Sequence, residues 1–303
     1  KAEAKISADS KYWLWINGEL AVFEGNLKRG PNPKDSYYDT VDLAKYLKKG
    51  ENDIKVLLCY FGKGGMSHYD TGKSAFILDA PQIGLHTDST WDSRRLSAYG
   101  ISEDKEPNYR LPESIIRYDA RLEDSDEWMP SAELGAWGDA PWNDLHKRPI
   151  PMWKDYGVKY LDFKTAEDEN GNIVHSARLP YNCQITPIIS LTDEGEGNLV
   201  RIETDHAVLS FNCQCLYSEY ITRNGRQDYE SLGWLNGHNL YVIYPKDADI
   251  TLHSLGFRET GYDCEFEGRF TSSDDFLNRY WKKAVRTLYV NMRDNYFDCP
   301  DRE

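Results

Sequence analysis

The stretch Ser272–Glu303, with the sequence SSDDFLNRYWKKAVRTLYVNMRDNYFDCPDRE, is where the chain changes from strand-like alternation to helical periodicity. Its apolar residues recur about every 3.6 positions, which predicts roughly five turns of amphipathic helix. They are Phe276, Leu277, Tyr280, Trp281, Ala284, Val285, Leu288 and Met292. The serines and aspartates at 272–275 form an N-cap cluster with acids in the first turn. A solitary amphipathic helix needs partners for its apolar face, so we expect a helical domain that begins here and continues beyond residue 303.

The last eleven residues, Arg293–Glu303, combine four carboxylates, two guanidiniums and two aromatic rings. A structural interpretation makes Asp298 an N-cap, with Pro300 in the first turn and Asp301 favourably placed against the helix dipole. A functional interpretation needs a carboxylic acid that stays protonated near neutral pH and donates to a leaving oxygen. Because a helix N-terminus lowers the pKa of a carboxyl, desolvation or repulsion from Asp294 or Asp298 would have to outweigh it. The spacing permits both interpretations.

Residues 1–117 are predicted to form an N-terminal β-sandwich. Tyr12–Ile16 is an aromatic strand that ends at the turn signal Asn17-Gly18. Val41–Gly50 has the apolar spacing of a short amphipathic helix, with Gly50 where a C-terminal cap would lie. Ile54–Phe61 then follows as a buried strand.

The remaining segments are predicted to be a linker, a second sandwich and the start of a helical domain. Residues 118–155 lose regular periodicity and alternate Trp with Pro, which indicates an ordered linker pinned by aromatic side chains. Residues 156–270 are rich in strand signals and predict a second β-sandwich, in which Asn170-Gly171 is a hairpin turn. Residues 271–303 begin the helical part. The fold class is therefore mainly β, with one long helix near the end.

Composition excludes several classes of function. The chain has 303 residues and a net charge of −14, which opposes binding to a phosphate backbone, so we expect no nucleic-acid partner. No apolar run approaches the ~18 residues of a membrane span. The six cysteines lack metal-ligand spacing, and we predict no metal-ligating residues, no cofactor and no disulfide framework, while a Ca²⁺ ion in the N-terminal sandwich is left open. The oligomeric state is left open.

The terminal segment Asp298-Cys299-Pro300-Asp301-Arg302-Glu303 resembles the Asp-Cys-Pro-x-Arg-Glu motif of bacterial α-L-rhamnosidases, glycoside hydrolase family 78. The runs Gly256–Tyr262, Glu267–Phe270 and Asp275–Trp281 are similar to the family's lead into its (α/α)6 barrel. Further back, Ile16–Glu19, Tyr38–Asp42 and Gly50–Asp53 resemble its N-terminal galactose-binding-like sandwich. The resemblance covers most of the chain and is most specific at its end.

The resemblance implies an inverting hydrolase of terminal α-L-rhamnosyl residues, whose partner is a rhamnose-containing oligosaccharide or glycoside. It assigns Asp298 and Arg302 to sugar contacts and Glu303 to the general acid. A longer form of the motif would give that role to the residue after Glu303. The catalytic base lies far downstream in the family, so we expect this chain alone to be inactive. A periplasmic or secreted location is favoured over a cytoplasmic one, which is left open.

A second hypothesis is a non-catalytic carbohydrate-binding β-sandwich protein. In that case Trp234 or His238 could line a sugar subsite, although a turn after a strand explains both more simply. His68, after the glycine-rich run 62–65, is predicted to lie in a flexible sandwich loop, because one His with one Asp makes a poor metal cluster. The exposed apolar face that the predicted helix would have argues against this second hypothesis.

Overall fold

The computed structural model describes residues 2–27, 30–65, 68–103, 114–209, 213–214 and 216–294. These residues form 22 strands and one α-helix, together with two short 3-10 helices at Pro81–Ile83 and Ala120–Leu122. The first twelve strands are β1 (Glu3–Asp9), β2 (Lys11–Ile16), β3 (Glu19–Gly25), β4 (Ser36–Asp42), β5 (Ile54–Cys59), β6 (Ala75–Ala80), β7 (Leu85–His86), β8 (Asp92–Ser93), β9 (Tyr99–Ile101), β10 (Ile116–Asp119), β11 (Met129–Pro130) and β12 (Leu145–Lys147). The others are β13 (Lys154–Leu161), β14 (Lys164–Glu167), β15 (Asn172–Asp193), β16 (Leu199–Thr204), β17 (Val208–Leu209), β18 (Cys213–Gln214), β19 (Ser218–Ile221), β20 (Gly225–Glu230), β21 (Leu235–Pro245) and β22 (Ile250–Gly261), and the helix is α1 (Asp275–Val290).

The chain divides into two compact units. The first comprises residues 1–94, 110–112 and 127–153, and the second comprises residues 95–109, 113–126 and 154–303. A mainly β chain with one long helix is therefore confirmed for the described residues. The boundaries proposed at 117, 155 and 270 remain predictions.

The first unit is a β-sandwich. A five-stranded sheet in the order β12-β4-β1-β6-β7 faces a three-stranded sheet in the order β3-β2-β5. Alternate residues of both sheets share one core, because successive side chains of a strand point to opposite faces. The turn predicted at Asn17-Gly18 joins β2 to β3, and both residues have positive φ (54° and 81°) as that turn requires.

The helix predicted over Val41–Gly50 is wrong. Val41 lies in β4 opposite Ala4 of β1, and Leu43 donates its backbone N–H to the carbonyl of Ala2. Both Val41 and Leu43 are buried in the sandwich core, and residues two apart share a face only in an extended chain. Pairing with β1 therefore decides the conformation, and the residues after Leu43 form turns.

The second unit is built around the 22-residue strand β15. Its first part pairs with β14 and β21, whereas its second part pairs with β22 and β20. Pairing with β21 shifts register between Arg178 and Cys183, which is where β15 leaves one set of neighbours for the other. A strand that changes sheets at such an irregularity forms a corner of a sandwich. The core between the layers is apolar and includes Ile185, Leu191 and Phe257.

Helix α1 begins where the sequence predicts. The Asp274 carboxylate caps it by accepting the backbone N–H of Phe276 at 2.8 Å. One end of the helix packs on the sandwich, where Tyr289 and Val290 are buried. None of the helices in the described part of the chain is long and apolar enough to cross a bilayer.

Candidate functional site

The three predicted site residues Asp298, Arg302 and Glu303 lie outside the described residues, so their roles remain predictions. The structure describes the segment that leads to them, from α1 to Asp294. The candidate site is therefore the surface of the second unit on which the end of α1 packs.

Gln184 of β15 binds the end of α1. Its Nε2 donates to the carbonyl oxygens of Val290 at 2.7 Å and Met292 at 3.1 Å. Its Oε1 accepts a hydrogen bond from Nη1 of Arg293. The last carbonyls of a helix lack intrahelical partners, and the buried amide satisfies that of Val290, the last residue of α1, while it also binds Met292 and Arg293 just beyond the helix. Gln184 of β15 therefore fixes the path of the chain from Val290 to Arg293.

Arg293 is almost wholly buried where the end of α1 packs on the second unit. Its Nη1 also lies 3.3 Å from Oγ1 of Thr260 in β22, and its Cζ lies 4.9 Å from the centre of the Trp234 ring. A buried guanidinium requires such partners, because its charge is costly to remove from water. Arg293 thus attaches the chain to the sandwich five residues before the predicted sugar contact at Asp298.

The predicted turn at Trp234–His238 is wrong for its second part, because Leu235 begins the long strand β21. The Trp234 ring contacts the guanidinium of Arg293, a contact that sequence alone did not indicate. His238 lies within β21 and is exposed.

A second contact between α1 and the sandwich centres on Glu259 of β22. Its carboxylate is buried and accepts hydrogen bonds from Nζ of Lys159 at 2.8 Å and from the Tyr181 hydroxyl at 3.0 Å. Nη2 of Arg286 on α1 lies 3.2 Å from the other carboxylate oxygen. The hydrogen bond to Glu259 raises the pKa of Lys159 despite partial burial. Burial, followed by the charge of Glu259, raises the pKa of Tyr181.

This cluster holds α1 on the sandwich. Glu259 therefore joins β13, β22 and α1 through charge-assisted hydrogen bonds.

Cys183, beside this cluster, is an unreactive thiol. Burial, reinforced by the nearby charge of Glu259, raises its pKa to about 12. Since the thiolate is the nucleophilic form, Cys183 does not act as a nucleophile at neutral pH.

His68 of the first unit lies in the predicted loop, but its side chain is buried. Its Nε2 lies 3.5 Å from Oγ of Ser10 and 3.9 Å from Oδ1 of Asp9. In a Ser-His-Asp arrangement the serine and the carboxylate contact different ring nitrogens. Here one nitrogen faces both groups, so the trio is a buried polar contact rather than a nucleophilic site.

Comparison with solved structures identifies the fold. The whole chain superposes on 56% of the GH78 family rhamnosidase of Bacillus sp. GL1 with a TM-score of 0.81 and 15% sequence identity. The chain has the fold of part of a GH78 rhamnosidase. The predicted resemblance is thereby confirmed at the level of the fold.

Two further structures have this rhamnosidase fold. The α-L-rhamnosidase from Dictyoglumus thermophilum matches 98% of the chain at 17% identity with a TM-score of 0.64, over 35% of its own length. The Streptomyces avermitilis α-L-rhamnosidase complexed with L-rhamnose matches 99% of the chain at 14% identity with a TM-score of 0.62, over 31% of its own length. The chain thus spans about a third to just over half of these rhamnosidases. No protein-family model and no curated protein sequence matches it.

Sequence reasoning missed Gln184, Glu259 and Arg286, whose side chains bind α1 to strands β15 and β22. Gln184 stands beside Ile185–Leu191, a stretch that mixes apolar residues with Thr186, Pro187 and Ser190, so the local sequence gave no signal of its role. Its partners lie 106 to 109 positions away, so pairing could not be read from local pattern.

Proposed function

We propose that this chain is the N-terminal portion of an inverting α-L-rhamnosidase, which hydrolyses terminal α-L-rhamnosyl residues of glycans or glycosides. The observation that carries the proposal is a fold likeness to a GH78 rhamnosidase over the whole chain. The motif Asp298–Glu303 supports it, because that motif begins eight positions after Val290, the last residue of a helix that packs on the sandwich.

In this proposal Glu303 is the general acid that protonates the leaving oxygen. Asp298 and Arg302 bind sugar hydroxyls, and the planar fork of Arg302 suits two such contacts. The buried contacts of Gln184 and Arg293 support these roles, since catalytic groups must be held within a fraction of an ångström of their working position.

Inversion requires a second carboxylate, which activates water on the opposite face of the sugar about 6.5–9.5 Å from the acid. The proposal assigns this base to the part of the rhamnosidase architecture that the chain does not span, since the match covers 56% of the Bacillus enzyme. The 303 residues alone are then inactive.

The outer face of α1 supports the assignment of the catalytic base to a further domain. Phe276 and Tyr280 are each more than 60% exposed, and their rings lie 6.2 Å apart. Large neighbouring aromatics in water are typical of a surface that another domain covers. We propose that the helical domain of the full-length enzyme packs on this face.

The proposal is tested with an aryl α-L-rhamnoside, with an aryl α-D-glucoside as the control substrate. The full-length protein is expected to hydrolyse the rhamnoside, whereas the 303-residue chain releases nothing above background. Turnover by the isolated chain would place both carboxylates within it and overturn the proposal that the catalytic base lies outside the 303 residues. Absence of turnover by the full-length protein would overturn the rhamnosidase assignment itself.

A further inference from the structure

Two imidazoles and a carboxylate meet on the second unit, far in sequence from the predicted sugar site. Asp205 and His206 lie in the turn after β16, and His238 lies in β21. These strands are antiparallel, with Thr204 opposite Leu240, and the N–H of Asp205 donates to the carbonyl of Asn239. The register therefore brings residues 205 and 206 beside 238 and 239.

The Asp205 carboxylate is held in place by backbone groups. Its Oδ1 accepts the N–H groups of His238 at 2.7 Å and Asn239 at 2.9 Å. Gly237 makes this approach possible, because a Cβ at that position would lie 2.6 Å from the same oxygen. The other oxygen, Oδ2, lies 3.8 Å from Nδ1 of His238.

The two imidazole rings complete the cluster. The ring centres of His206 and His238 are 5.6 Å apart and their planes are inclined by 75°. One ligating atom from each of Asp205, His206 and His238 can be chosen so that all three lie within 4.8 Å of one another. Ligands of a tetrahedral Zn²⁺ with bonds of about 2.0–2.2 Å lie roughly 3.4 Å apart, so modest side-chain rotation would close the set. The His238 side chain is exposed, which leaves room for that rotation while Asp205 stays in place.

We propose that Asp205, His206 and His238 bind a divalent transition-metal ion of the Zn²⁺ class. Two imidazoles and one carboxylate suit this class better than Ca²⁺ or Mg²⁺, which take all-oxygen sets. Three protein ligands leave a fourth position for water. The site joins the end of β16 to β21, so an ion there crosslinks two neighbouring strands of the second unit.

The second imidazole distinguishes this cluster from ordinary surface pairs. His86 lies 3.4 Å from Asp88 and His146 lies 3.7 Å from Asp35, and both histidines are exposed. In those two pairs one imidazole faces one carboxylate, and neither belongs to a three-ligand cluster among the described residues. They therefore provide matched controls for an Asp–His pair without metal geometry.

The test is calorimetric titration of the metal-free 303-residue chain with Zn²⁺, for the unaltered protein and for His206→Ala, His238→Ala and His86→Ala. We expect one ion per chain in the unaltered protein and in His86→Ala. Loss of an outer-shell partner alone typically weakens metal binding about 10–100-fold, so loss of a direct ligand should weaken it at least tenfold in both other variants. The melting temperature without metal should be the same in all four proteins, and it should rise with Zn²⁺ only where the ion binds.

Equal Zn²⁺ affinity in the unaltered protein and in His206→Ala would overturn the proposal, as would no binding at all. Should either alanine variant melt early without metal, His206→Gln and His238→Gln provide polar replacements at the same positions, and the same tenfold loss is expected. The rhamnosidase assay does not depend on this site, so failure here leaves the proposed function untouched.

Discussion

At the scale of single residues, the second unit depends on polar side chains buried where α1 meets the sandwich. Glu259 is 2% exposed, and its partners Lys159 and Arg286 reach it from β13 and α1. Glu259 lies in the family-like run Gly256–Tyr262, but its role could not be predicted from the sequence, because its partners come from strands and a helix that only the fold brings together. The role of such a residue depends on its neighbours in the folded structure, so the local sequence pattern does not reveal it.

Replacing Glu259 should destabilise the second unit. Glu259→Gln leaves Lys159 and Arg286 without their buried carboxylate, and we expect a loss of about 1–3 kcal/mol in the free energy of unfolding. The matched control is Glu167→Gln, which removes an exposed carboxylate 2.6 Å from Lys246 and should change stability by less than about 0.5 kcal/mol. Urea denaturation of both variants measures the difference. Equal effects would show that burial of Glu259 contributes nothing.

Thiol chemistry tests the environment of Cys183. Because its pKa is raised to about 12, native Cys183 stays protonated as the pH rises from 7 to 9, whereas an ordinary thiol ionises across that range. The raised pKa stabilises the fold below about pH 9, and this contribution is lost as the pH rises towards 12. We expect Cys183 to resist iodoacetamide at pH 9 while the partly exposed Cys59 reacts, as measured by peptide mass spectrometry. Rapid labelling of Cys183 in the folded protein would contradict this account.

At the scale of elements, periodicity predicted α1 correctly and failed at residues 41–50. Both segments have helix-like apolar spacing, but α1 extends over sixteen residues and has an aspartate N-cap. The shorter segment begins inside a strand that pairs with β1, and the hydrogen bonds and core contacts of that pairing outweigh a weak local preference. The contact between β15 and the end of α1 could not be predicted, since Gln184 and Val290 are 106 positions apart.

Close packing between β22 and α1 yields a prediction about Gly261. A Cβ there would lie 2.4 Å from the hydroxyl oxygen of Tyr289, which is held by the Tyr156 hydroxyl at 2.6 Å and the Tyr262 carbonyl at 3.1 Å. Gly261→Ala should therefore displace Tyr289 and cost about 1–3 kcal/mol.

The matched control is Gly100→Ala in β9, where a Cβ would meet no atom within 4 Å. We expect this variant to retain the stability of the unaltered protein within about 0.5 kcal/mol. Hydrogen exchange of the amides in α1 gives the readout, with faster exchange in Gly261→Ala only. Unchanged exchange there would mean that the helix tolerates the added methyl group.

At the scale of the whole molecule, the sequence was sufficient to predict a mainly β chain with a helix near its end and a rhamnosidase-like fold. The strand signals and the terminal motif carried that prediction, and the likeness to the Bacillus GH78 rhamnosidase confirms it for the fold. The path of β15 through both layers was beyond sequence reasoning, because a 22-residue strand that changes partners has no distinct period. The roles of Asp298, Arg302 and Glu303 stay predictions that rest on the motif.

Stereochemistry tests the mechanism proposed for the full-length protein. Two carboxylates separated by a water molecule invert the anomeric centre in one displacement. Proton NMR of an early reaction mixture should therefore show β-L-rhamnose as the first product from an α-L-rhamnoside, before mutarotation mixes the anomers. Initial release of the α-anomer would indicate a covalent intermediate and a different arrangement of acids.

The most direct test of the central claim is the rate at which the full-length protein and its Glu303→Gln variant hydrolyse an α-L-rhamnoside with a poor leaving group. General acid catalysis contributes about 10²–10⁴-fold, so the variant should lose activity by that factor. An activated aryl rhamnoside, which needs less protonation, should lose much less. Hydrolysis of the poor substrate at an unchanged rate in Glu303→Gln would contradict the claim.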